Sequence, residues 1–415
     1  MMQLLGNLFL SFLSHEWAGL VLALLLGLAG YGVVHMARAH GIRWVKGIGY
    51  LVVGIAGIAA LGATYHVIYM SRILAANPAP GKMVDVGGYR MHVLAEGEPN
   101  GKPAVVWMPG AHSAGFAMYH LHAILRQESR SILVDRPGSG WSDPGPFPRT
   151  TAVEAEEIVT ALKNAGEKGP FVLAGHSMGG LLVANIARRH PELIAGLVML
   201  DGTPPDAINY APPNPYVTQM QRDAVLAALT RLFGIHPALA QRLWGKEETD
   251  PAFKELDRII RSRLGPAMTT METLENGAKS SVAGASIFAE LLPGGMGYET
   301  VVFDGDLGDL PLFLAAPRDL VEFAAVSKAI AAQSGKADPA MADTARMLRF
   351  YTRTRERYMA TSSRSERLYA PAGTGHNFVY ETPEFAAEAV RRMQREHPLD
   401  ASAAAPASAP PTEVQ

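Results

Sequence analysis

A chain of 415 residues with 37 Lys and Arg against 39 Asp and Glu carries a formal charge of −2, which excludes the strongly basic footprint of a nucleic-acid-binding domain. It has no cysteine, so disulfides, thiolate nucleophiles and cysteine-bound metals are excluded too, and the redox compartment stays open. Only 18% of its residues are charged, and the apolar excess gathers over residues 1–76.

From Trp17 to Ala37 no side chain is ionised, over about the twenty residues a helix needs to cross a bilayer. A second such run covers residues 47–70. Trp17, Trp44, Tyr50, Tyr65 and Tyr69 lie near the ends of the two runs, where interface aromatics belong. The pair reads as a transmembrane hairpin rather than a cleaved signal peptide, because no Lys or Arg precedes the first run. Ala23 with Gly27, Ala56 with Ala60 and Ala59 with Ala63 give the small-residue spacing that lets two helices approach closely. The connecting loop carries Arg38, Arg43 and Lys46. By the positive-inside rule it faces the cytoplasm, and the rest of the chain is expected on the periplasmic or exterior side.

Residues 77–82 hold Asn77-Pro78-Ala79-Pro80-Gly81, a stiff linker. Core segments are expected over 83–203 and 306–398. Met83 to Val86 and Tyr89 to Ala95 form a hairpin about Gly87-Gly88. Apolar strands follow at Lys102 to Met108, Ser131 to Val134, Phe171 to Ala174 and Ile194 to Leu200, with a helix from Thr151 to Ala165. Short strands alternating with helices predict a mostly parallel, doubly wound sheet with helices on both faces. The alternation breaks at Pro204-Pro205, and residues 204–305 read as an inserted helical cap. The sheet resumes at Leu310 to Ala315 and closes with Arg367 to Ala370. Thr382-Pro383-Glu384 opens the last helix, which runs to Glu396. The Ala-, Pro- and Ser-rich tail within 399–415 is expected to be disordered.

The strand at Phe171 to Ala174 ends in Gly175-His176-Ser177-Met178-Gly179, followed by Gly180 and a helix-forming run. Gly-x-Ser-x-Gly between a strand and a helix is a nucleophile elbow, a sharp turn that lifts one serine hydroxyl above the sheet. Ser177 is the candidate nucleophile. A serine hydroxyl needs a base to take its proton. In Ser-Asp-His chain order that base follows the last strand, where His376 stands in Gly373-Thr374-Gly375-His376. His176 sits beside the serine but is expected to point elsewhere. The acid that orients the imidazole has two candidate positions, Asp201 at the end of one strand and Asp319 after the next. The backbone N–H groups of Met178 and Ala111 are the candidate oxyanion hole. His112 and His120 read as solvated loop histidines. No metal-ligand spacing or phosphate-binding loop is visible, so no cofactor or metal is expected.

Together, Gly-His-Ser-Met-Gly-Gly (175–180), Asp-Arg-Pro-Gly-Ser-Gly-Trp-Ser-Asp (135–143), Leu-Asp-Gly (200–202) and Gly-Thr-Gly-His (373–376) resemble the alpha/beta-hydrolase superfamily. Residues 78–92 look like the entry of a bacterial membrane-anchored branch. The resemblance implies an eight-stranded core with a cap, Ser177 as nucleophile, His376 as base, and lipase- or esterase-like chemistry on an ester or amide. Two departures stand out: Pro109-Gly110 replaces the usual His-Gly, and Ala316 to Asp319 only loosely matches the usual Gly-x-x-Asp. Some relatives place the acid after the sixth strand, which favours Asp201. A serine at the elbow is at odds with epoxide hydrolases and haloalkane dehalogenases, which use a carboxylate nucleophile. The expectation is a membrane-anchored serine hydrolase acting on a small acyl substrate, apolar or lipid-derived. Acyl transfer on the same residues and a non-catalytic binding scaffold are the alternatives.

Overall fold

The computed structural model describes residues 2–205, 215–236, 251–290, 306–318 and 344–399, with Leu239 and Arg242. Eight strands form one sheet: β1 (Lys82–Asp85), β2 (Arg90–Glu96), β3 (Val105–Met108), β4 (Ser131–Val134), β5 (Phe171–His176), β6 (Ile194–Leu200), β7 (Leu312–Ala316) and β8 (Ser365–Tyr369). Their order is β1-β2-β4-β3-β5-β6-β7-β8. The β1–β2 and β2–β4 pairs are antiparallel, and every later pair is parallel. The first hairpin turns at Gly87 and Gly88, both at positive φ, with Asp85 accepting their N–H groups.

Strands β3, β4 and β5 are buried along their whole length, as a sheet covered on both faces requires. Alternate residues serve alternate faces. Val105, Trp107, Val172 and Ala174 join one core with Leu121, Phe378 and Val390. Val106, Met108 and Leu173 join the other with Ile158, Leu182 and Leu314. These cores are covered by α4 (Tyr119–Leu125), α5 (Thr151–Ala165), α6 (Gly179–Arg189), α12 (Phe378–Glu381) and α13 (Pro383–Glu396). α5 begins where Thr150 accepts from Val153 N and stops at Gly166, whose φ of 89° only glycine adopts freely.

Three helices precede the sheet. α2 (Ala18–Ala39) and α3 (Arg43–Ala76) match the two apolar runs and are long and apolar enough to cross a membrane. They pack through small residues: a Cβ on Gly27 would lie 3.6 Å from Ala56 Cβ, and one on Gly30 would lie 2.9 Å from Val52. Leu24, Leu28, Ile55, Ile58 and Leu61 remain exposed. At 34 residues α3 is about 51 Å long, well beyond the roughly 30 Å hydrocarbon layer. α1 (Met2–Leu13) was not expected from the sequence.

Between β6 and β7 four helices are described: α7 (Pro215–Leu232), α8 (Pro251–Leu264), α9 (Pro266–Leu274) and α10 (Ala278–Glu290). The far end of α7 rests on the hairpin: a Cβ on Gly19 would meet the Leu232 carbonyl oxygen at 2.3 Å, and one on Gly62 the Phe233 carbonyl oxygen at 2.2 Å. Beside this seam Glu16 accepts from His66 Nε2 at 2.6 Å, and His66 Nδ1 shares a hydrogen bond with His236 at 2.9 Å. α11 (Thr344–Met359) leads into β8. The expected tail from Ala401 lies outside the described residues.

Candidate active site

The turn from β5 to α6 puts Ser177 at φ 52°, a left-handed conformation that costs a non-glycine residue about 1–2 kcal/mol. Its neighbours make room for that turn. A Cβ on Gly175 would lie 2.6 Å from the Gly179 carbonyl oxygen, and one on Gly179 would lie 2.2 Å from that of Met108. The turn is pinned by Gly180 N and Thr203 N, which donate to the Ser177 carbonyl at 2.9 and 2.7 Å. Met178 is the N-cap of α6, so its N–H has no acceptor within the helix and the positive end of the dipole points at the serine.

Opposite lies the loop after β3. A Cβ on Gly110 would sit 2.8 Å from Ser177 Cβ and 3.4 Å from its Oγ, and Ala111 has φ 45°. The buried Arg136 guanidinium donates to the Ala111 carbonyl and fixes that peptide.

His376 arrives from the loop after β8, which bends at Gly373 (φ 82°). Its Nδ1 donates to Asp201 Oδ2 at 2.6 Å. Asp201 closes β6, itself at φ 47°, with its N–H donating to Ala315 O at 2.7 Å. Its other oxygen, Oδ1, accepts from Arg355 at 2.8 Å and from the Tyr351 hydroxyl. Burial would raise this carboxyl, but the Arg355 charge outweighs it, together with hydrogen bonds from His376 and Tyr351, and holds it well below the usual carboxylate range. Asp201 is therefore an anion with both oxygens occupied. Asp319, the other candidate acid, lies outside the described residues.

The rings of His176 and His376 lie with centroids 4.8 Å apart, tilted 32° to one another. His176 Nε2 donates to the His376 carbonyl at 3.0 Å, and burial with the nearby His376 lowers its pKa to about 3. A neutral His176 braces the His376 loop. Because its ring is buried, which disfavours the charged form, it is poorly placed to take a proton.

Two sequence expectations need correction. His112 and His120 are buried, not solvated. His120 donates to Val379 O at 2.7 Å and stacks on Tyr380. His112 is closed in by α10, whose Ala283 and Gly284 approach Gly138 and His112. An insertion folding back over the β3 loop cannot be read from local composition. Tyr351 and Arg355 escaped the sequence reading altogether. Their only signal is an aromatic and a cation at i and i+4 in an arginine-rich helix, a spacing that puts both on one face.

The elbow is roofed by the insertion: Met178 and Leu181 pack against Ile287 and Phe288 of α10, with Ala111 and Met220 of α7 alongside. A serine on a strand–turn–helix elbow, an Asp–His pair from the ends of β6 and β8, and helices inserted after β6 define the architecture of an alpha/beta hydrolase. A family model described as the alpha/beta hydrolase fold matches residues 112–247. The solved structure of the epoxide hydrolase CorEH superposes with a TM-score of 0.51 at 15% identity, covering 76% of this chain and 97% of that one, a likeness of fold alone. In sequence the chain is 30% identical to the uncharacterized Bacillus subtilis protein YbdG over 149 residues, 35% of this chain and 45% of that protein. It is 28% identical to an uncharacterized vacuolar membrane protein of Saccharomyces cerevisiae over 133 residues, 27% of this chain and 20% of that protein. The chain thus spans less than half the length of these relatives. It has the alpha/beta-hydrolase fold.

Proposed function

We propose that the protein is a membrane-anchored serine hydrolase that cleaves a carboxylic ester or amide through an acyl-enzyme on Ser177. One observation carries this reading: the 2.6 Å Asp201–His376 hydrogen bond, at the loop that touches the His176–Ser177 elbow. Asp201 holds the imidazole with Nδ1 protonated, which leaves Nε2 free to accept. His376 Nε2 takes the Ser177 proton as Oγ bonds to the acyl carbon. The carbonyl oxygen becomes an oxyanion facing the amides of Met178 and Ala111. Collapse expels the alkoxide or amine, which takes the proton from His376. Water then repeats the cycle, giving its proton to His376 and its hydroxyl to the acyl carbon, and Ser177 leaves with the proton restored.

The exposed apolar faces of α2 and α3 support anchoring, and the Arg38, Arg43 and Lys46 loop supports a cytoplasmic turn with the hydrolase on the opposite side. The helices over the elbow fit the role of a cap, and their apolar side chains Ile287, Phe288 and Met220 suit an apolar acyl group.

Acyl p-nitrophenyl esters of graded chain length test the reading on the detergent-solubilised full chain. We expect hydrolysis that rises with chain length and is lost in Ser177→Ala. Turnover that survives unchanged in Ser177→Ala would refute it.

A further inference from the structure

α1 is the element the hydrolase reading leaves unused. No ionised side chain occurs before Glu16, and the helix is apolar apart from a narrow polar stripe at Gln3, Asn7 and Ser11. Leu13, with Leu10 and Phe12, packs on Ala278 and Val282 of α10 and on Leu232 of α7. Nearer the start of the helix, Leu5, Leu8 and Phe9, spaced i, i+3 and i+4, stand 58, 58 and 51% exposed. An apolar helix surface belongs against protein or in lipid, and this one meets protein on only one side.

Its length and position decide between water and lipid. Twelve residues give about 18 Å, too short to span the bilayer. A tight turn joins it to α2: Ser14 N donates to Leu10 O at 3.0 Å and Ala18 N to His15 O at 2.9 Å. Within that turn Trp17 is exposed and stacks on His15 at 5.1 Å, as an interface anchor does. Glu16 points inward, to His66 and to Ala278 N at 3.0 Å. The exposed face of α1 therefore continues, through Trp17, into the exposed apolar side of α2.

We propose that α1 lies in the membrane interface, with Leu5, Leu8 and Phe9 among the lipid acyl chains, and that it seats α10 on the bilayer surface. Through Ile287 and Phe288 of α10 this places the roof of the elbow at the lipid phase, so the substrate class it serves is an acyl ester resident in a membrane. The inference rests on the membrane reading of α2 and α3.

The cysteine-free chain allows the test. Single variants Leu8→Cys, Phe9→Cys, Ile58→Cys and Val153→Cys are spin-labelled in the full-length protein and reconstituted in phosphatidylcholine–phosphatidylglycerol vesicles. Collision with oxygen, which concentrates in lipid, is compared with collision with a water-soluble nickel chelate. Ile58 on α3 reports the bilayer and Val153 on α5 reports water. Oxygen-favoured labels at positions 8 and 9, matching position 58, are expected. Nickel-favoured labels there beside an oxygen-favoured position 58 would overturn the proposal while leaving the anchor intact. Labels at 8 and 9 closed to both reagents would also overturn it, by showing a protein partner or a second copy. A nickel-favoured position 58 would sink the membrane reading and this inference with it.

Discussion

Asp201 Oδ2 accepts from His376 Nδ1 at 2.6 Å while Oδ1 is held by Arg355 and Tyr351. The carboxylate cannot rotate away from the imidazole without breaking its bonds to α11. In the proposed mechanism this selects the tautomer that leaves Nε2 basic. Asp201→Asn would offer a neutral side chain that can pair with either tautomer. A drop in kcat/KM of about 10⁴-fold is expected, the scale of the corresponding loss in serine proteases. Steady-state kinetics on a short ester checks it, and a change below tenfold would return the acid's role to Asp319.

Arg355 is the cation that most lowers the Asp201 carboxyl. A carboxyl whose folded pKa is depressed stabilises the fold above its unfolded value of about 3.9, and that contribution is lost as pH falls through the window below it. Without Arg355, burial pushes the same carboxyl upward. Arg355→Met should therefore move acid inactivation to higher pH, with Tyr351→Phe a smaller move in the same direction. Profiles of kcat/KM against pH measure both. An acid limb that stays in place in Arg355→Met would contradict the assignment.

The glycines around the elbow differ in what a substitution would strike. Gly179→Ala brings a Cβ against the backbone oxygen of Met108, which cannot move without the sheet. It should destabilise by about 1–3 kcal/mol or more. Gly110→Ala instead presses on Ser177 Cβ, which moves only with the elbow backbone, and on the nucleophilic oxygen itself. Its loss should fall on kcat as well as on the melting temperature. Calorimetry beside kinetics on the two variants distinguishes the effects.

Most of the sheet was legible because buried parallel strands are unbroken apolar runs: Val105 to Met108 and Phe171 to Ala174 have no other reading at that length. The hairpin was legible for the same reason at helical length. α1 was not, since a short, largely apolar segment suits several environments and only its packing on α10 fixes one. Ser177 and His376 carry local glycine signatures, so the sequence could name them as candidates. The partner of His376 carries none. Asp201 and Asp319 each follow a strand; what points to Asp201 is its 2.6 Å bond to His376, a contact 175 residues apart in sequence, while Asp319 lies outside the described residues.

Glu275, at the end of α9, shows a stability effect of the opposite sign. Burial pushes its carboxyl up to about 7, with Arg231 opposing. The folded state therefore holds this proton to higher pH than the unfolded chain, whose glutamate titrates near 4.3. Native stability from this group is full below about 4.3 and declines as pH rises to about 7. Glu275→Gln removes that slope. The melting temperature of the variant relative to wild type should climb between pH 5 and pH 8, measured in the same detergent. A difference that does not vary with pH would show that Glu275 is not the group responsible.

The central claim, that the oxygen of Ser177 is the nucleophile, is tested most directly by a fluorophosphonate probe followed by peptide mass mapping. The probe reports an activated serine whatever the natural substrate. The account predicts one covalent adduct, on the peptide containing Ser177, and none in a folded Ser177→Ala variant. A folded wild-type protein that stays unlabelled, or equal labelling of both proteins, would contradict it.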